Sequence, residues 1–516
     1  MGKEVIFIAY QNQENLGVGY LSSFLESKGF TSEIIDWNQD PMSIHKKISY
    51  EDPILVGFSL IFQYDFSRLY KVSHYLRDRG LKQHFTVGGH YPSLRYGTVL
   101  EEARSIDSVV RFEGEITLTE LVKTLKEGGD WRSLPGLAYF HRGESVSNEL
   151  RPLMDDLDNL PFPKRSYADT FSCLGVKFTS LLGSRGCYRN CSFCSIRAFY
   201  GAPPGRLRRT RSPENIVNEM EKLYDTGIKI FLFQDDDFFS PGPDGYSWAK
   251  ELLNELELRN FSDDILWKIN CRADEVKEDF FSMLKEVGLY MVYLGIESGS
   301  DVGLRLMNKQ LRVSDNLRAV KTIKKIGMTY DFGFMLFDPM SSFTTLQENI
   351  DFLRTICEDG SCPITFCKML PYAGTPIEEQ LKLEDRLIGG ITDPNYKFLS
   401  PEMDKYYRFV TETFNEYMSP QGLSSQLRWH INELNVIKKF YGEQEGFMDY
   451  LEVFREIVKR SNIASLDTLE SSLEIFESGR VTEHQLREIQ ASLVYEHRNL
   501  ISALIREMKA FRGKET

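Results

Sequence analysis

The sequence predicts an α/β chain in three parts: a doubly wound, Rossmann-like sheet, an array of six βα units, and a helical tail. Three observations carry this. Short apolar runs alternate with helical segments through the first 126 residues, which is the pattern of a parallel sheet covered on both faces. Six more runs, at residues 179–182, 228–233, 266–270, 291–295, 330–335 and 364–369, are short, apolar and β-branched or aromatic, as buried parallel strands are. From Ser400 onward the pattern is helical. At 516 residues, 42% hydrophobic and 27% charged, the chain has core material for several domains. We place them at 1–145, 176–390 and 391–516, with a linker over 146–175.

In the first part, Val5 to Ala9 reads as a buried strand. A helix starts at Leu16-Gly17-Val18-Gly19, with Leu21, Phe24 and Leu25 on one face. Further strands fall at 33–36, 54–59, 85–89 and 108–111, and helices at 64–79 and 118–126. Ligands of such sheets sit at the carboxyl ends of the strands. Those ends carry Gly17 and Gly19, Ser59, Gly88-Gly89-His90-Tyr91-Pro92-Ser93, and Glu113-Gly114-Glu115. Glycine there lets a bulky ligand approach the backbone. A hairpin is expected around 141–144, and Leu160-Pro161-Phe162-Pro163 marks an extended linker.

Three of the eight cysteines follow the first strand of the second part. Cys187, Cys191 and Cys194 are spaced C-x3-C-x2-C. Three thiolates so close cannot all pair as disulfides. They can hold three corners of an iron–sulfur cluster, leaving a fourth iron open to a small molecule. The alternative is a zinc site with a distant fourth ligand, although no partnering C-x2-C or H-x3-H follows. The motif, with Phe193 before its third cysteine, resembles the signature of radical S-adenosylmethionine (SAM) enzymes. The resemblance implies a 4Fe–4S cluster on these cysteines, SAM on the open iron, and a partial (β/α)6 barrel with its site at the strand C-termini.

It also implies SAM contacts. Asp235 or Asp236, after the second strand, would accept from the amino group. Arg272, after the third, would fork onto the carboxylate. The Gly295-Ile296-Glu297-Ser298-Gly299 turn after the fourth would lie near the ribose and methionine, through Glu297 and Ser298. The ends of strands five and six, at 332–339 and 368–376, would line the substrate cavity or the adenine site. Arg206, Arg208, Arg209 and Arg211 read as arginines paired with acidic neighbours, Arg211 being the expected exception that binds a ligand.

The ordered strand ends of the first part resemble the cobalamin-binding domain of a radical SAM subgroup. That implies cobalamin held near Gly17, Gly19, Ser59, Gly88, Gly89, Glu113 and Gly114. The better-known D-x-H-x-x-G motif is absent, so no histidine ligand to cobalt is implied. His90 reads as a loop histidine capping backbone, and residues 63–65 as an approach to the lower face of the corrin.

The whole resembles a cobalamin-dependent radical SAM enzyme, most simply a methyltransferase. It implies that one SAM methylates cobalamin, a second SAM yields a 5′-deoxyadenosyl radical, and an unactivated substrate carbon takes the methyl group from methylcobalamin. A non-methylating radical cyclisation, rearrangement or oxidation is the alternative. A methylthiotransferase would need cysteines in the first part, where Cys173 is the earliest in the chain. A cobalamin sensor would not need the triad. The expected partners are a small-molecule or carrier-tethered substrate and an electron donor such as flavodoxin or ferredoxin. A net charge of −13 argues against a nucleic-acid binder. No apolar run reaches a membrane-spanning length, and a cytoplasmic protein is expected. In the tail, Thr482-Glu483-His484-Gln485 reads as a capping box before Leu486, Ile489, Leu493 and Val494 on one helix face, within a small bundle packed on the barrel.

Overall fold

The computed structural model describes residues 2–11, 14–166, 171–239, 243–442 and 445–512. Residues 167–170 of the expected linker lie outside them. The first sheet has seven strands: β1 (Val5–Ala9), β2 (Ser32–Asp36), β3 (Leu55–Ser59), β4 (His84–Gly88), β5 (Ser108–Val110), β6 (Leu137–His141) and β7 (Glu144–Ser147). Their order is β2-β1-β3-β4-β5-β6-β7. The first five are parallel, and the expected hairpin, β6 and β7, extends the edge antiparallel.

Strand β1 is apolar throughout because both its faces are covered. Val5 and Phe7 meet Val18, Leu25 and Leu118 on one side, and Ile6 and Ile8 meet Ile44, Leu69 and Val72 on the other. The chain order reverses between β1 and β3, which opens a crevice at their carboxyl ends. One helix, Pro41–Glu51, was not among the expected elements, yet its start is written in the sequence. Asp40 accepts from the Ser43 amide at 3.1 Å, and Pro41 takes the first helical position.

The second sheet contains β8 (Ser172–Cys173), β9 (Val176–Leu181), β12 (Ile228–Phe233), β13 (Leu266–Arg272), β14 (Leu289–Glu297), β15 (Thr329–Phe337) and β16 (Cys367–Lys368). A small antiparallel pair, β10 (Ser184–Arg185) and β11 (Arg209–Thr210), brackets the cysteine loop. The sheet order is β16-β15-β14-β13-β12-β9-β8, parallel except for β8. With β16 and β8 as free edges it is an open, six-unit partial barrel. The sixth strand is shorter than its apolar run. Asn462, on a tail helix, takes the Ile364 amide (3.0 Å) and the Cys362 carbonyl (2.9 Å), which removes that backbone from the ladder.

On β13 the alternation sorts function from packing. Trp267 and Ile269 are fully buried under the outer helices, while Lys268, Asn270 and Arg272 line the barrel interior. The tail forms helices Pro401–Met418, Leu423–Val436, Phe447–Glu477 and Glu483–Arg512. Of the Thr482 capping box, the Gln485 amide bond to the threonine hydroxyl is present, at 3.3 Å. Helix Leu423–Val436 closes the end of the barrel away from the cysteines. Tyr290 Oη donates to Asn432 Oδ1 at 3.0 Å, and Asn435 Nδ2 donates to Thr329 Oγ1 at 3.1 Å. Among the described residues no helix is long and apolar enough to cross a membrane.

Candidate functional site

The cysteine loop hangs over the carboxyl end of the barrel by a set of local bonds. Asp235 accepts from the Gly183 amide at 3.0 Å and from Ser184 Oγ, and Asp236 accepts from the Gly186 amide at 3.0 Å. Gly186 has φ +83°, and a Cβ there would stand 1.9 Å from the Leu207 carbonyl oxygen, so only glycine fits the turn. Farther along, the Ser192 amide donates to the Met307 carbonyl (2.9 Å), and Asn308 Nδ2 donates to the Asn190 carbonyl (2.7 Å).

Cys187, Cys191 and Cys194 all face one cavity of about 510 Å³ and are free thiols. Burial pushes Cys187 and Cys194 up to about 12, so cationic iron is what would hold them as thiolates. Among the described residues no three His, Cys, Asp or Glu side chains converge on a point suited to a single ion. Three thiols spread around one cavity fit the donor set of a multi-iron cluster.

Asp235, Asp236, Arg272 and Glu297 line the same cavity, as does Lys309, which the sequence reading missed. The structure gives several of them a protein partner as well. Both Asp235 oxygens hold the base of the cysteine loop. Arg272 donates from Nε to Asp274 (3.0 Å) and from Nη2 to the Lys309 carbonyl (2.7 Å). Glu297 sits at φ +67° and accepts from Lys309 Nζ at 3.0 Å through Oε1, leaving Oε2. Asp236 keeps one oxygen for the cavity, and burial pushes it up to about 6, against the pull of the Gly186 amide. Ser298 lies elsewhere. It is fully buried, bonds Asn349 Oδ1 at 3.0 Å, and lines neither this cavity nor the next. No residue of 332–339 or 368–376 lines this cavity either.

A second cavity, of about 450 Å³, lies between the first sheet and the start of the barrel. Gly17, Ser59, Gly88, Gly89, Glu113 and Gly114 line it, with apolar walls from Phe7, Leu16, Phe58 and Phe62. An apolar cleft floored by glycine backbone fits a flat macrocycle such as a corrin. Gly19 is not part of it. A Cβ there would stand 2.6 Å from the Lys164 carbonyl oxygen, so this glycine admits the linker. Gly89, at φ +116°, also has a backbone reason, because its Cβ would meet the Leu60 carbonyl oxygen at 2.3 Å. Glu113 is engaged by Arg209 (2.9 Å), Arg185 (3.2 Å) and the Met154 amide (2.9 Å). Gln63 ties the domains instead of facing the cavity, donating to the Ile391 carbonyl (3.1 Å) and accepting from the Ala373 amide (3.0 Å).

The arginine cluster is structural. Arg206 pairs with Asp155, Arg208 donates to the Asp237 and Phe238 carbonyls, and Arg209 pairs with Glu113. Arg211 is no exception. It is buried against Glu219 at 2.6 Å and against the Leu182 carbonyl at 2.9 Å.

His90 lines the second cavity but caps no backbone. It stacks on Phe199, with ring centroids 4.1 Å apart and planes at 6°. Burial pushes it down to about 4, so the imidazole is neutral. A metal-bound histidine almost always donates its other N–H to a second group, and no described residue accepts from His90. We therefore expect His90→Ala to leave the absorption spectrum of protein-bound cobalamin unchanged. Loss of a nitrogen-coordinated cobalt signal in that variant would refute the expectation.

The two cavities share a wall made of Gln234 and Asp236. Two family models match the chain, one on either side of this wall. Residues 181–353 match the radical SAM superfamily model and residues 3–122 the B12 binding domain model. An uncharacterised methyltransferase of Pyrococcus horikoshii is 28% identical over 443 residues, covering 84% of this chain and 91% of that protein. The anaerobic magnesium-protoporphyrin IX monomethyl ester cyclase of Cereibacter sphaeroides is 28% identical over 349 residues, 64% of this chain, which spans only 55% of the cyclase. The structure of the cobalamin-dependent S-adenosylmethionine radical enzyme OxsB, with aqua-cobalamin and S-adenosylmethionine bound, superposes with a TM-score of 0.70 at 18% identity, over 99% of this chain and 81% of that one. That likeness is one of fold. With the cysteine triad on the barrel and the glycine-floored sheet beside it, the chain belongs to the radical SAM proteins that carry an N-terminal B12-binding domain.

Proposed function

We propose that the protein is a cobalamin-dependent radical SAM methyltransferase acting on an unactivated carbon of a small-molecule or carrier-tethered substrate. The observation that carries this is the shared wall: a substrate at Gln234 and Asp236 touches both cavities at once. The methyltransferase from Pyrococcus supports the same reading across most of the chain.

When bound, the cluster supplies the electron that cleaves SAM and cobalamin carries the methyl group. Cys187, Cys191 and Cys194 hold the cluster. Asp236 would accept from the SAM ammonium, whose positive charge would favour its ionised form. Arg272 would receive the SAM carboxylate, and Glu297 would lie near the ribose. Asp235 acts through the loop it holds. A one-electron donor such as flavodoxin or ferredoxin would reduce the cluster.

The test is anaerobic turnover of a candidate metabolite panel with SAM deuterated at its methyl group. The expected product carries the labelled methyl. S-adenosylhomocysteine and 5′-deoxyadenosine accompany it in about equal amounts, one SAM being consumed as donor and one as radical source. A second reading, radical cyclisation or oxidation, is favoured by the cyclase relative, which is equally identical over a shorter span. Deoxyadenosine without S-adenosylhomocysteine, and a substrate altered without gaining a methyl group, would establish it.

A further inference from the structure

The barrel has another cavity at its opposite end, of about 290 Å³, closed by helix Leu423–Val436. That volume is at the lower limit of small-molecule sites. Its walls are mixed: Met291, Pro363, Ile431 and the half-exposed indole of Trp429 give the apolar part, and Lys268, Asp331 and Arg428 the charged part. Most polar groups on the wall already have partners. Tyr330 Oη donates to the Ile356 carbonyl (2.6 Å), Ser425 Oγ to the Ser419 carbonyl (2.9 Å), and Asn432 Nδ2 to the Arg428 carbonyl (3.0 Å).

Lys268 is the exception. It stands on the inner face of β13, two residues below Asn270 and four below Arg272, and it lines both this cavity and the cysteine cavity. No described residue accepts a hydrogen bond from its ammonium or forms an ion pair with it. The Tyr293 ring lies 5.4 Å from Nζ. The acid whose charge reaches it is Asp331, but Asp331 is already held by Arg428 through Nε at 3.0 Å and through Nη2. Burial, aided by the Arg428 charge, pushes Lys268 below its ordinary value. A half-buried ammonium whose nearby carboxylate is already held by an arginine is under-compensated, and an anion beside it relieves the cost.

We propose that the base of the barrel is a binding site for a small organic anion, its carboxylate or phosphate on Lys268 and its apolar body against Trp429 and Met291. This gives helix Leu423–Val436 a role as the wall of a ligand site. The site is independent of whether the enzyme methylates, because it is read by binding.

The test uses the full-length, reconstituted protein titrated calorimetrically with benzoate and with phenyl phosphate, with and without saturating SAM. Saturable one-to-one binding of at least one probe is expected, unchanged by SAM, and the preferred probe tells carboxylate from phosphate. Lys268→Met should weaken binding roughly ten- to hundredfold, the effect of losing a hydrogen bond to a charged group. Ser425→Trp fills the cavity from the helical side without touching Lys268, and should abolish binding while the cluster absorbance persists. The proposal is overturned if neither probe binds saturably, if SAM displaces the probe, or if both folded variants bind as wild type does.

Discussion

Alanine at Cys187, Cys191 and Cys194 together leaves a chain with no iron–sulfur absorbance after anaerobic reconstitution and no 5′-deoxyadenosine formation from SAM. The three thiols occupy eight residues of one loop and face one cavity. The remaining cysteines cannot replace them. Cys173 and Cys357 are buried in packed cores, Cys362 borders the cavity at the opposite end of the barrel, and Cys367 donates to the Phe334 carbonyl. Cys271 does border the cavity, but burial pushes its thiol well above the ordinary range, and a single thiol does not hold a cluster. The loop does not rest on the thiols. It hangs from the Asp235, Asp236 and Met307 bonds, so the variant's circular dichroism should stay close to wild type. Cluster absorbance persisting in a folded triple variant would sink the assignment.

That the three cysteines share one cavity was legible because they sit close in sequence on one loop, and the glycine-bearing strand ends because a parallel sheet displays them at regular intervals. What depended on distant partners was not. Glu297 and Lys309 are twelve residues apart, and nothing in the run between them announces their 3.0 Å contact. Arg165 is bonded to Glu14 and Glu219, two carboxylates 205 residues apart in the chain, a relation that only the docking of the two domains creates. Gly19 has the same composition signal as Gly17 yet answers to Lys164. Ser298 shares a turn with Glu297 but points into the core, because its hydroxyl is fixed by Asn349 and the Ser300 amide (3.1 Å). Strands of two residues, such as β8, β10 and β11, have no periodicity to read. Lys268 fell within a run that read only as a buried strand, since the period of two fixes a face but not which face encloses a cavity.

Arg185→Met should be the most damaging single substitution outside the cluster ligands. Arg185 stands two residues before Cys187. From there it reaches back to the first domain, donating to Glu113 at 3.2 Å and to Glu115 at 2.7 Å. All three side chains are at least nine-tenths buried. Removing one member of a buried ion cluster leaves its partners uncompensated, at a cost of about 3–5 kcal/mol. Glu113 would keep Arg209 and the Met154 amide, whereas Glu115 would lose its arginine, so the lower end of that range is expected. The loss should also show in acid. Burial alone would raise Glu113, but the Arg185 charge and the Arg209 bonds outweigh it and hold the carboxyl below its ordinary value. A carboxyl lowered on folding stabilises the native state above its unfolded pKa, about 4.3 for glutamate, and that contribution fades as pH falls through the folded value. Without Arg185 the folded value rises toward the unfolded one, so the variant has less of this contribution to lose, and its stability deficit relative to wild type should narrow as pH falls below about 4.3. Because Arg185, Glu113, Gly114 and Glu115 all line the B12-side cavity, cobalamin affinity should fall along with stability. The same arginine anchors the strand that leads into the cysteine loop, so cluster retention should also weaken. Urea unfolding at about pH 7 and about pH 3.5, on either side of the unfolded value, with cobalamin titration, measures all but the last, and iron content after gel filtration measures that. A variant within about 0.5 kcal/mol of wild type, the range of ordinary surface substitutions, would show that the two domains are not clamped through Arg185.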